Sequence, residues 1–203
     1  MESTRAINDA RRLAGSYSPL PPPEARPVII VTSGLPGTGK SFFSRRLAER
    51  LNYVIVESDA IRKKLFRKLS YSAVESASLF RVIHHLIEDL LGKGVSVILD
   101  ATNLIERHRA VIYRIAERAD AKLILVRVDA PPGLVQKRLA ARTKRPGIHG
   151  HSEADREVYR KMKGEAERIA RRHYTVDTSR DITPAIDKIV KEATRGKETD
   201  SGN

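Results

Sequence analysis

Apolar residues fall along this chain in two rhythms. Five short runs are apolar nearly throughout and rich in β-branched residues: 28–33, 53–57, 95–100, 122–129 and 174–177. Runs of that length and composition suit strands buried on both faces, as in a parallel sheet. Between them, apolar positions recur every three or four residues, the spacing of one helix face. Helices are predicted to begin near Lys40, Ser58, Ser72, Asn103, Leu134, Ser152 and Thr183. The helix over 72–93 puts Val74, Phe80, Ile83, Ile87, Leu90 and Leu91 on its inward face, and Gly94 stops it. His84 and His85 within it point about 100° apart, so they read as ordinary helix residues rather than a metal pair. The helix from Ser152 is expected to run to about Arg172. Strand precedes helix five times over. The fold class is therefore α/β, a three-layer arrangement with a five-stranded parallel sheet and helices on both faces.

The ends read differently. Residues 1–26 form an N-terminal arm: a short helix over 7–13, then Ser18-Pro19-Leu20-Pro21-Pro22-Pro23, an extended connector that lets the arm lie on the domain. The domain is expected over 27–194, and the polar residues 195–203 are expected to form a disordered tail.

Chemistry concentrates after the first strand. Gly34-Leu35-Pro36-Gly37-Thr38-Gly39-Lys40-Ser41 matches G-x-x-x-x-G-K-[ST], the Walker A phosphate loop, in a strand–loop–helix context. Its glycines let successive backbone N–H groups curl around an anion, and the helix start adds its positive end. Lys40 supplies a mobile charge for the β- and γ-phosphates, and the Ser41 hydroxyl can ligate Mg²⁺. With Phe42, residues 34–42 are the expected ATP contacts.

Three further places carry candidates. Asp59 and Arg62 follow the second strand, three residues apart on one helix face. Ligands of open parallel sheets bind at those strand ends, so Asp59 is a candidate base for an acceptor hydroxyl and Arg62 a phosphate or substrate clamp. Equally, Ser58 or Asp59 caps the helix and Arg62 is surface. Asp100 ends the third strand, where a P-loop protein places the carboxylate that holds the Mg²⁺. Asn103 with Glu106 makes a sequence-level capping pair. Finally, Arg138 and Arg142 share a helix face ahead of the Gly- and Pro-containing stretch 143–151, which suits a lid closing over a triphosphate.

Composition narrows the partners. The 203 residues hold no cysteine, which excludes disulfides and thiolate metal sites. The polar N-terminus and the lack of any stretch of about 20 apolar residues point to a cytoplasmic location without membrane contact. The formal charge is +13, and 135–175 hold twelve Lys/Arg against five Asp/Glu. Such an excess attracts nucleic acid or phosphorylated ligands. Aromatic residues, the side chains that stack bases, make up only 5% of the chain, with no tryptophan.

At Gly34–Ser41, Ser58-Asp59-Ala60-Ile61-Arg62, Asp100-Ala101-Thr102-Asn103 and 152–179, the chain resembles the P-loop kinases related to polynucleotide kinase, zeta toxin and chloramphenicol phosphotransferase. The resemblance covers roughly residues 27–190. It implies strand order 2-3-1-4-5 and Mg²⁺-ATP as donor. It makes Asp59 the general base, Arg62 a contact to phosphate or acceptor, and Arg138 and Arg142 the lid arginines. It places Thr102 and Asn103 on the acceptor side. Asp100 is followed by Ala101 rather than by a second acid, which weakens a motor-ATPase reading. Three functions stay open: a kinase for a small-molecule hydroxyl acceptor, a polynucleotide 5′-hydroxyl kinase, and a nucleotide-dependent switch that hydrolyses ATP slowly.

Overall fold

The computed structural model describes residues 2–143 and 152–195, with side chains over 4–141 and 159–195. Among the described residues there are five strands and eight helices; the strands are β1 (Val28–Ser33), β2 (Val54–Glu57), β3 (Val97–Asp100), β4 (Lys122–Asp129) and β5 (Tyr174–Asp177). They pair in parallel, in the order β2-β3-β1-β4-β5. The helices are α1 (Glu2–Gly15), α2 (Lys40–Ala48), α3 (Ser58–Leu65), α4 (Ala73–Gly92), α5 (Glu106–Arg118), α6 (Pro132–Thr143), α7 (Ser152–Glu165) and α8 (Thr183–Thr194).

Every residue of β1 is buried, because the central strand is covered on both faces. Ile29 and Val31 face a core built with α1, α4 and α5. Val28 and Ile30 face a second core with Phe43 and Leu47 of α2 and with Ile186 and Ile189 of α8. Among the described residues, no helix is long and apolar enough to cross a membrane.

The structure corrects several expected boundaries. The arm helix spans Glu2–Gly15 rather than 7–13, and buries Ala6, Ala10, Leu13 and Ala14 against the α4 side of the sheet. The small alanines let α1 approach α4 closely. The segment joining α1 to β1 is fastened by Glu24, whose N–H donates to the Gly94 carbonyl (2.8 Å) and whose carboxylate accepts from Ser96. On α4, Ser72 caps the start by accepting from the Glu75 N–H. Val74 faces solvent at 77% exposure, because the first turn runs ahead of the packed stripe that begins at Leu79. α7 ends at Glu165, short of the expected Arg172. The following residues pass beside α5, where Arg109 donates to the carbonyls of Glu167 and Arg168 (3.3 and 3.1 Å). The tail residues 196–203 and most of the expected lid, 144–151, lie outside the described residues.

His84 of α4 is packed beside Phe80 and sits near His85, Glu88 and His108 of α5. Burial, then the neighbouring histidines, push its pKa down to about 4 from 6.5, against an opposing pull from Glu88. The unfolded chain therefore takes up this proton at a higher pH than the folded one. The stability is complete above pH ~6.5 and is lost as pH falls towards 4. Replacing His84 by Gln is expected to flatten that slope by about 2–3 kcal/mol, read as urea midpoints across the window. An unchanged slope would place the acid sensitivity elsewhere.

Candidate functional site

The phosphate loop leaves β1 and enters α2 with its glycines at the two tightest points. A Cβ on Gly34 would lie 2.3 Å from the Val128 carbonyl oxygen, so no side chain fits between β1 and β4 there. Gly39 caps α2 with φ of 95°, a left-handed conformation, and a Cβ there would also meet Thr178 at 2.9 Å. Thr38 donates from its hydroxyl to the Leu35 carbonyl (2.9 Å), and Lys40 folds its ammonium back onto the same oxygen (3.0 Å). The loop thus closes on itself, with the α2 N-terminus and the Lys40 charge at its centre. Pro36 and Gly37 form its outer turn, where Val135 and Leu139 of α6 pack against Gly37. Phe42 points outward, 49% exposed, beneath the Arg46 guanidinium.

Two segments brace the loop. Thr178, just after β5, donates to the Thr38 carbonyl (2.6 Å), and its N–H donates to the Asp129 carbonyl. Arg138 of α6 donates to the Thr178 hydroxyl and carbonyl (2.8 and 3.0 Å) and reaches the Gly37 carbonyl at 3.4 Å. The expected lid residue Arg138 is therefore at the phosphate loop. The side chain of Arg142 lies outside the described residues.

On the other flank, the turn after β3 is stitched to β1. The Gly34 N–H donates to the Thr102 carbonyl (3.0 Å), and Ser33 donates its hydroxyl to the Asn103 carbonyl (3.0 Å). Asn103 adopts φ of 44° and is buried, with its amide donating to the Thr32 carbonyl (2.8 Å). The capping pair of Asn103 and Glu106 does not form, because Asn103 turns back towards β1. The α5 start is instead satisfied by Glu167, whose carboxylate accepts the Glu106 N–H (2.6 Å). In this arrangement Asn103 fastens the loop through its amide and carbonyl, while Thr102 joins it through its carbonyl and keeps a half-buried side chain.

Asp100 sits at the centre, 3% exposed, and the Ser41 hydroxyl hydrogen-bonds its carboxylate. One carboxylate oxygen is buried with no hydrogen-bond partner. Burial pushes the Asp100 pKa up, against the Ser41 hydrogen bond and the Lys40 charge, while Asp59 adds to the rise. A buried, under-satisfied carboxylate beside a hydroxyl and a phosphate loop fits a divalent cation. Among the described residues, no three acidic or histidine side chains cluster as a self-sufficient metal cage. Magnesium takes one or two protein oxygens and fills its shell with water and phosphate, so Asp100 with Ser41 is a donor set that fits it. The loop N–H groups, the α2 N-terminus and the Lys40 charge beside it make a donor set that suits the phosphates of a nucleotide.

Asp59 is exposed in the first turn of α3, directly after β2. The α3 start is capped by neither Ser58 nor Asp59: the N-cap is Glu57, with no side-chain cap bond. Asp59 is close enough to Glu57 and Asp100 to raise both carboxyls electrostatically. Arg62 departs from the expectation of a phosphate or substrate clamp. It is buried, ion-paired with Glu75, 3.3 Å from the Ser76 hydroxyl and stacked under Tyr71 at 4.9 Å. Glu75 is itself locked by Ser70, whose N–H and hydroxyl donate to it, and its pKa is held down at about 2 by those bonds and by Arg62. The guanidinium is thereby committed to α4.

Three contributors were not singled out from the sequence. Thr178 carries no motif. Arg109, fully buried, joins the Asn103 carbonyl (2.7 Å) to the segment after α7; the sequence offered only its i,i+3 spacing from Glu106. Glu57 ends an apolar strand as Asp100 does, and that shared signal was readable.

A family model described as an AAA domain matches residues 29–169. The L-seryl-tRNA(Sec) kinase of Methanococcus maripaludis is 32% identical over 117 residues, which are 55% of this chain and 44% of that protein. The adenylyl-sulfate kinase of Myxococcus xanthus is 32% identical over 107 residues, 51% of this chain and 58% of that protein. The chain thus spans about half the length of these two relatives. Among solved structures, the Mycobacterium tuberculosis APS kinase CysC, in complex with AMPPNP and APS, superposes with a TM-score of 0.63 at 21% identity. That superposition covers 84% of this chain and 98% of that one, and it shows a shared fold.

Proposed function

The chain belongs to the AAA-domain family and has the P-loop kinase fold, and on that premise we propose that it moves the γ-phosphate of ATP to a hydroxyl of a small-molecule acceptor. The observation that carries this reading is the position of Asp59. It is an exposed carboxylate at a strand end, beside the phosphate loop, and it has no capping duty to explain it.

The residues divide the work as follows. Loop N–H groups and the α2 N-terminus hold the donor phosphates, and Lys40 stabilises charge on the group in transit. Ser41 and Asp100 would hold a magnesium ion, which would supply charge neutralisation for the phosphates. Asp59 orients the acceptor hydroxyl and takes its proton as the new bond forms. Thr178 and Arg138 keep the loop in its receiving shape before any ligand arrives, and such preorganisation is where phosphoryl transfer gains most.

A second reading, a polynucleotide 5′-hydroxyl kinase, draws on the exposed Lys63, Lys64, Arg67 and Lys68, which follow Asp59. One relative's name also places its seryl acceptor on a tRNA. The test is transfer of labelled γ-phosphate to a panel of small alcohols and of 5′-hydroxyl oligonucleotides, with acceptor-free hydrolysis as control. Labelled small alcohols are the expected product. Labelled oligonucleotides, with affinity falling at a log–log salt slope of ~0.7 per phosphate contacted, favour the second reading. Hydrolysis alone, without transfer to anything, sinks both.

A further inference from the structure

Glu57 ends β2 at the position where Asp100 ends β3, and the two are register partners across parallel strands. Such partners lie about 4.8 Å apart and point to the same face. The face is that of α2. Two residues earlier on each strand, Ile55 and Ile98 belong to the core that holds Phe43 and Leu47 of α2. The α2 helix presents Ser41 to Asp100, and Arg45, one turn later, lowers both carboxyls.

Asp59, in the first turn of α3, stands near the pair as a third acid. Lys63, also on α3, opposes these charges. Two acids side by side in a partly dry cleft repel, and the usual remedy is a cation between them. Independently, Asp100 keeps a buried oxygen without a hydrogen-bond partner on the carboxylate that meets the Ser41 hydroxyl.

We propose that Glu57 is a second carboxylate of the cation site, acting from the outer shell on the divalent ion that Ser41 and Asp100 bind directly. The inference rests on the metal–nucleotide reading above and adds a residue to it. A neutral side chain at this position would leave Asp100 as the one strand-end acid acting on the ion. With Glu57 present, the cleft carries enough negative charge to favour a dication and to hold its bound waters in place.

The test uses Mn²⁺ as the probe on the full chain, with a non-hydrolysable ATP analogue saturating. Mn²⁺ binding is read by electron paramagnetic resonance. Glu57→Gln is expected to weaken Mn²⁺ binding roughly 10-fold, in line with outer-shell substitutions at metal sites. Glu57→Asp, which keeps the charge, is expected to retain most of it and covers the case in which the amide does not fold. A second readout separates repulsion from packing: without metal or nucleotide, Glu57→Gln should melt no lower than wild type. Unchanged Mn²⁺ affinity in Glu57→Gln, while the wild type binds Mn²⁺ with the analogue, overturns this inference and leaves the kinase reading standing. A wild-type chain that binds neither overturns both.

Discussion

Lys40→Ala is expected to lower kcat/KM for phosphoryl transfer by at least ~10³-fold, about 4 kcal/mol of transition-state stabilisation. The ammonium is the full positive charge built into the phosphate loop, folded over the Leu35 carbonyl at 3.0 Å. Donor phosphates would draw it inward, where it meets charge on the β- and γ-oxygens. Its removal is mild for the fold. The Leu35 carbonyl still accepts from the Thr38 hydroxyl at 2.9 Å, and Ala is a good residue for a first helical turn. The loss should therefore appear in turnover and ATP affinity but hardly in the melting temperature. A variant with near-normal turnover would sink the phosphate-site assignment.

Asp59→Asn is expected to cut transfer ~10²-fold or more while leaving ATP binding in place. The amide keeps the size of the side chain and removes its ability to take a proton. Because Asp59 is exposed and acts on the α3 start only as a first-turn charge, urea midpoints should report a loss of no more than about 1 kcal/mol. Its charge raises both Glu57 and Asp100, so the same substitution should let those two carboxyls ionise at slightly lower pH. A larger stability loss with unchanged turnover per folded molecule would instead make Asp59 a helix-start residue.

Arg62 shows why such roles are not settled by spacing. Three residues from Asp59, it satisfies every local requirement of a clamp. Yet Glu75, thirteen residues on, takes its guanidinium, and Ser70 locks that carboxylate. Nothing in the 58–62 stretch announces this, because the deciding partner arrives with α4. The same is true of the α5 start. Asn103 and Glu106 have the sequence of a capping pair, but Glu167, sixty-one positions away, supplies the carboxylate.

What the sequence determined by itself was local in origin. The β1 run is legible because a strand covered on both faces needs apolar side chains at every position. The phosphate loop is legible because left-handed backbone at Gly39 and close approach at Gly34 admit no side chain, so the glycines must be where they are. The prominence of Asp100 is legible because a carboxylate ending such a strand is buried and must find partners for its oxygens. Tertiary structure alone decided the rest. Pairing β2 with β3 in register is what puts Glu57 beside Asp100, and β5 beside β4 is what carries Thr178 to the Thr38 carbonyl. Arg109 became the buried tie between the β3–α5 turn and the segment after α7 only once both ran past it. These contacts join residues dozens of positions apart, and neither propensity nor periodicity, which act over a few residues, can encode which distant partner a side chain will meet.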